Sequence, residues 1–147
     1  MASNPIKSIP SIAKFLLGLI FLFFGLNYFF HFLPSPPPPD PASPVALFSG
    51  GLAASSYFFV FLKSLETIIG ILLILNLFTP LVVLILPSIS INILLFHLFL
   101  TGASTIVLPL IILLLNIYLI WHYRHLYYPL LKTNKAVEEA APRITVA

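Results

Sequence analysis

Two charged side chains interrupt one of the long apolar runs of the chain. Lys63 and Glu66 lie within residues 56–78, SYFFVFLKSLETIIGILLILNLF, a run long enough to cross a bilayer as a helix. They are three residues apart, so on a helix they share one face and can form an ion pair. Each charge costs about 2.5–3.5 kcal/mol at the centre of a membrane helix, which nearly cancels the gain from the surrounding apolar residues. We therefore expect this charged face to contact other helices, where the pair could bind the polar group of a ligand.

Uncharged polar residues recur at a similar depth in the other apolar runs. The depth of a residue is its distance along the helix from the predicted outer end of its span, at about 1.5 Å per residue. By this count Asn27, Asn92 and Asn116 come close to the depth of Lys63 and Glu66. These positions predict one polar layer in the outer half of a helix bundle. Two interpretations stay open: the layer only neutralises itself and fixes helix register, or it forms the base of an outward-facing pocket for a quinone or a lipid headgroup.

His31 and His97 are predicted above this layer, close to the outer surface. Two histidines on neighbouring helices could ligate a haem iron. A single histidine at a membrane interface more often contacts water and headgroups, so we expect no haem and no metal here. No cofactor is evident from the sequence, and a quinone bound at the polar layer stays open.

Other common kinds of reactive site are absent from the sequence. The chain has no cysteine, which excludes disulfides, thiol chemistry and thiolate metal sites for this chain alone. It also has no glycine-rich phosphate loop, no nucleophile elbow and no His-Glu-x-x-His motif. We therefore expect no autonomous enzymatic activity.

The composition is that of an integral membrane protein. Hydrophobic residues make up 60% of the 147 residues and charged residues 7%, against about 25% charged in soluble domains; mean hydropathy is +1.10. The length suits one domain. All basic residues except Lys63 lie near the two ends of the sequence, a pattern that indicates topology and excludes nucleic acid as a partner.

The hydropathy pattern predicts an all-α fold, a four-helix membrane bundle within residues 1–131. The predicted spans are residues 12–33, 56–78, 81–100 and 106–123. Residues 34–55 form an outer loop that begins with the proline-rich segment PSPPPPDPASP, which can enter neither a helix nor a sheet. Within this loop we expect Val45–Phe48 to lie at the interface or against the mouth of the bundle, and Gly50-Gly51 to break the chain before the second helix. Residues 132–147 read as a disordered tail.

Two local patterns concern the spans themselves. Gly18 and Gly25, seven residues apart, fall on one face of the first helix and would allow another helix to approach closely. Pro87 has no backbone N–H, so the third helix should contain an unbonded Val83 carbonyl.

The basic residues give the orientation. Lys7 and Lys14 precede or begin the first span, and three more basic residues follow the last: Arg124, Lys132 and Lys135. Four spans place both termini on one side, and the excess of basic residues makes that side cytoplasmic. The proline-rich segment and the loop at 101–105 carry no Lys or Arg and should lie outside.

Several segments together resemble the DoxX family of small four-helix bacterial membrane proteins. They are Gly25-Leu26-Asn27-Tyr28-Phe29-Phe30-His31-Phe32, the proline-rich segment, the Lys63-x-x-Glu66-x-x-x-Gly70 element and the Asn92-x-x-x-x-His97 element. The resemblance covers about residues 12–131 and implies the architecture first. The family takes its name from a subunit of a thiosulfate:quinone oxidoreductase, and some relatives are linked to redox complexes; distant relatives act as membrane chaperones or cargo receptors. It transfers no catalytic residues to these positions.

We expect a multi-pass protein of the bacterial inner membrane that acts as an accessory subunit. It would bind a small quinone- or lipid-like ligand, within a redox complex. The alternative is an assembly, chaperone or scaffold protein in which Lys63 and Glu66 are purely structural. Expected partners besides the bilayer are another membrane protein or a second copy of the chain.

Overall fold

The computed structural model describes residues 5–35 and 37–131, and the protein is all-α over these ranges. Five α-helices carry the fold: α1 Pro5–Phe30, α2 Pro44–Ala54, α3 Phe58–Ile74, α4 Thr79–Phe96 and α5 Val107–Tyr127. A π-helical segment, His97–Thr101, continues α4, and short 3-10 turns cover Ala103–Thr105 and Tyr128–Leu131. The predicted tail, 132–147, lies outside the described residues.

Three helical stretches have the length and apolar character of membrane spans. They are Ile9–Phe30, Thr79–Thr101 and Val107–Tyr127, and α2 with α3 form a bent pair that counts as a fourth span only if the two are taken together. α3 alone has 17 residues because it ends at Ile74, earlier than the predicted run of 56–78. The membrane character of the chain is therefore clear from three spans.

α2 corrects the prediction for residues 45–55. The sequence predicted a break at Gly50-Gly51, but a single helix runs through both glycines. Ser43 caps this helix by accepting a hydrogen bond from the Ala46 N–H at 3.3 Å, and Pro44 occupies its first turn. These start signals outweigh about 1 kcal/mol of lost helix propensity per glycine.

The actual break lies at Ser55–Tyr57, where α2 and α3 meet at 90°. The Ser55 hydroxyl donates to the Leu52 carbonyl at 2.6 Å and accepts from the Phe58 N–H at 3.3 Å, so one side chain ends α2 and begins α3. Ser56 follows with a φ of 63°, in the left-handed region. This corner turns the chain from α2 into α3.

α1 packs most extensively against α3, and α4 packs against α5. Gly18, Gly25 and Gly70 lie where α1 and α3 approach most closely. A Cβ added to Gly70 would be 2.5 Å from the Leu22 nitrogen and 2.8 Å from the Gly18 carbonyl oxygen. The predicted close-approach face of α1 is confirmed, and α3 is the helix that uses it.

The turn between α3 and α4 is as short as predicted, with Asn76 and Phe78 both at positive φ. The interior of the molecule holds fully buried leucines from four helices: Leu17, Leu73, Leu86 and Leu119. Most other large apolar side chains are exposed on the outside of the helices, as a lipid-facing surface requires.

Candidate functional site

The Lys63–Glu66 pair forms on α3 as its spacing predicted. The Lys63 Nζ donates to Glu66 Oε2 at 2.8 Å. Burial is unequal: the Glu66 side chain is 3% exposed, whereas that of Lys63 is 24% exposed. The carboxylate is thus enclosed, whereas part of the Lys63 side chain remains exposed.

α1 approaches α3 closely beside the ion pair, at a glycine. Thr67, the neighbour of Glu66, packs so closely on Gly25 that a Cβ there would be 2.5 Å from Thr67 Oγ1 and 2.9 Å from its backbone nitrogen. The Thr67 hydroxyl donates to the Lys63 carbonyl at 2.8 Å, so its hydrogen bond is made within α3. The backbones of α1 and α3 therefore meet beside the ion pair.

Asn27 and Asn92 each bond a backbone group near their own helix. Asn27 Oδ1 accepts from the Leu33 N–H at 2.8 Å, just past the end of α1, where His31 has a φ of 50°. That bond explains why α1 ends at Phe30, three residues before the predicted end of its span. Asn92 is exposed, and its Nδ2 donates to the Ser88 carbonyl at 2.7 Å. These bonds link neither asparagine to Lys63 or Glu66.

Asn116 is fully buried and crosses between helices. Its Nδ2 donates to the Val83 carbonyl on α4 at 3.1 Å. Val83 is the residue whose usual helical partner, the N–H of position 87, is missing because position 87 is proline. The carbonyl freed by Pro87 is thus satisfied from α5.

We expect Asn116 and Pro87 to be energetically coupled. Asn116→Leu removes the only described donor to the Val83 carbonyl, whereas Pro87→Ala restores the backbone N–H. The destabilisation by Asn116→Leu should therefore be smaller in the Pro87→Ala background, with a coupling of about 1 kcal/mol. A double-mutant cycle of unfolding free energies in mixed micelles measures this coupling, and strictly additive effects would contradict it.

The two histidines that were predicted near the outer surface have different surroundings. His31 is exposed beyond the end of α1. His97 is half-buried at the start of the π-helical segment, and its Nδ1 lies 2.8 Å from the Ile93 carbonyl oxygen. Among the described residues, no group of three or more His, Cys, Asp or Glu side chains is placed to hold a metal ion.

A second polar cluster was not predicted. Lys14, 9% exposed, donates from Nζ to Asn76 Oδ1 at 2.5 Å, and the buried Thr79 hydroxyl donates to the same oxygen at 3.1 Å. We call these three residues the Lys14 cluster. Beside it, the Tyr127 hydroxyl donates to the Pro80 carbonyl at 2.8 Å and joins α5 to the start of α4. The available signals were a lysine inside the first apolar run and an asparagine in the short turn.

Comparisons with known proteins identify the family of this chain. No curated protein matches the chain, and no solved structure matches it either. The DoxX family model matches residues 9–98, which run from the apolar part of α1 to the start of the π-helical segment. The matched range includes both the Lys63–Glu66 pair and the Lys14 cluster, whereas Asn116 lies beyond it. The chain belongs to the DoxX family of membrane proteins.

Proposed function

We propose that the Lys63–Glu66 pair binds the polar group of a small quinone- or lipid-like molecule, and that the protein is an accessory membrane subunit of a redox complex. The unequal burial of the two side chains carries this proposal. An enclosed carboxylate fixes the position of a lysine whose side chain is partly exposed. A pair with a purely structural role would have no need of this open side.

The Lys63 ammonium has N–H donors that the described residues leave unused. A lysine carries three N–H donors, and Glu66 Oε2 is the one acceptor that the described residues provide for them. A carbonyl or an anionic oxygen of a ligand would accept another. Phe59, four residues before Lys63, shares its helical face and could contact the apolar part of the same ligand.

The membrane arrangement belongs to the same proposal. We infer four spans, with the bent pair of α2 and α3 supplying one, in a bacterial inner membrane with both termini in the cytoplasm. Basic residues near both ends of the sequence support this orientation. Lys63 is five residues into α3, or about 8 Å from its first residue, so its ammonium would lie toward the outer side.

One observation favours the alternative of an assembly or scaffold protein. The three asparagines predicted in the polar layer each donate to or accept from a backbone group. Asn27 and Asn92 need no ligand for these bonds, whereas Asn116 Oδ1 is buried without a partner among the described residues. Under that alternative, the exposed edge of Lys63 would contact a helix of a partner protein.

Native mass spectrometry with lipid extraction distinguishes the two functions. Protein purified gently from its own membrane should carry a bound small molecule, and Lys63→Met/Glu66→Gln should have lost it. Retention of the same molecule by the folded double variant would disprove the binding role of the pair. Copurification of one protein in place of a small molecule would support the scaffold alternative.

The swapped variant Lys63→Glu/Glu66→Lys is the matched control. It keeps an ion pair at the same two positions but presents a carboxylate at the accessible one. We expect it to be folded and yet to lack the ligand. A swapped variant that binds the ligand as the wild type does would show that the accessible ammonium is not used.

A further inference from the structure

Lys14 is a cation without a described counter-ion. The described residues contain two acidic side chains, Asp40 in the proline-rich segment and Glu66, which pairs with Lys63. Lys14 contacts the neutral amide of Asn76 instead. Burying a charge against a neutral partner leaves much of its desolvation cost uncompensated, so an anion at this position would be favourable.

The groups around Lys14 would suit an anion. Asn76 Oδ1 already accepts from Lys14 and Thr79, so the amide Nδ2 is available as a donor. α4 begins at Thr79, and no side chain caps its first turn. The first N–H groups of a helix lack intrahelical partners and carry a partial positive charge. Pro80 has no N–H, and the Val82 N–H bonds the Phe78 carbonyl. The N–H groups of Thr79 and Leu81 are therefore the donors that the start of α4 adds to those of Lys14 and Asn76.

The surface around the cluster indicates the source of the anion. The turn between α3 and α4 exposes three large apolar side chains, Leu75, Leu77 and Phe78, the last of them 70% exposed. Exposed apolar residues at the end of a hairpin of apolar helices fit the boundary between acyl chains and headgroups. A phosphate that is covalently joined to acyl chains would satisfy both the cation and these apolar side chains. An acidic peptide would satisfy only the cation.

We propose that the Lys14 cluster binds the phosphate of an anionic phospholipid. The lipid would lie against the α3–α4 turn, with its phosphate at Lys14 Nζ and its acyl chains along the exposed apolar residues. This site is separate from the Lys63–Glu66 pair and independent of the ligand proposed there. Lipid binding would join α1 to the turn through Lys14 and Asn76.

Binding of phosphatidylglycerol to the full chain in neutral detergent tests this proposal. The measurement is lipid retention by native mass spectrometry across a lipid titration. Asn76→Asp places a carboxylate beside Lys14 without a change of size, so it should replace the lipid phosphate while the protein remains folded. We expect Asn76→Asp and Lys14→Met each to weaken binding at least about fivefold, the usual contribution of one basic residue near an anionic surface.

The control for added charge is Ser104→Asp, at an exposed position near the opposite end of the bundle. It should bind phosphatidylglycerol as the wild type does. Equal binding by wild type, Lys14→Met and Asn76→Asp would overturn the proposal, as would equal binding of phosphatidylcholine. If Lys14→Met does not fold, Asn76→Asp decides the result alone.

Two further arms identify other occupants. Inorganic phosphate that displaces the lipid at equal concentration would point to a free anion and overturn the lipid assignment. If wild type binds no phosphatidylglycerol but Glu138→Gln/Glu139→Gln does, the acidic residues of the chain itself occupy the site and the proposal is wrong.

Discussion

Gly70→Ala is expected to destabilise the protein by about 3 kcal/mol, the upper part of the usual range for overpacking a buried contact. The added Cβ would lie 2.5 Å from a backbone nitrogen of α1 and 2.8 Å from a backbone oxygen. Backbone atoms cannot rotate away as the end of a side chain can, so α1 and α3 must separate. The loss should appear in unfolding free energies measured in mixed micelles.

Gly50→Ala supplies the comparison. Gly50 is also helical, but a Cβ at this position meets no atom within 4 Å. Alanine there should leave the stability unchanged or raise it by up to about 1 kcal/mol through helix propensity. Equal stabilities for Gly70→Ala and Gly50→Ala would show that the α1–α3 contact is looser than the structure has it.

Lys63→Met should be the most damaging single substitution at the ion pair. It leaves the carboxylate of Glu66, which is 3% exposed, without its cation. Breaking a buried pair from one side costs about 3–5 kcal/mol. Glu66→Leu should cost less, since Lys63 is 24% exposed and its long stem allows the ammonium to reach water.

A double-mutant cycle checks this asymmetry. Lys63→Met/Glu66→Leu removes both charges and should recover most of the stability lost in Lys63→Met, because apolar replacements of buried pairs are often tolerated. Unfolding free energies of the wild type and three variants give the result. If Glu66→Leu destabilises the protein more than Lys63→Met does, then Glu66 is not the more buried member of the pair.

Structural features that depend on residues close together in the sequence could be predicted. The ion pair joins Lys63 and Glu66, which are three residues apart on one helix, so its geometry follows from helical periodicity. The missing helical partner of the Val83 carbonyl likewise follows from Pro87 alone. The close-approach face of α1 was evident from Gly18 and Gly25.

Relations between distant residues could not be predicted in the same way. Asn116 was assigned to a polar layer on depth alone, although its donor satisfies the Val83 carbonyl 33 residues away. Lys14 was used only for orientation, since its partner Asn76 is 62 residues distant. Nothing local distinguishes a lysine that faces water from one that turns toward a neighbouring helix.

The predictions of helix boundaries were wrong where weak sequence signals competed. Gly50-Gly51 indicated a break, but the cap at Ser43 and the proline after it determined the helix. The span count depends on the same region, because α2 and α3 together have the length of a span and are divided by a right angle. Sequence hydropathy records apolar length and carries no information about direction.

The right angle at Ser55 also has a consequence for the surrounding lipid. Because α2 leaves the axis of α3, it adds nothing to the length of that helix, whose 17 residues extend about 26 Å. The hydrocarbon of a typical bilayer is about 30 Å thick. If α3 is the fourth span proposed above, the lipid beside it would have to thin by several ångströms, at a cost that rises with acyl-chain length. The three established spans, of 21 to 23 residues, match a bilayer of ordinary thickness. The thinning would therefore be confined to the lipid beside α3.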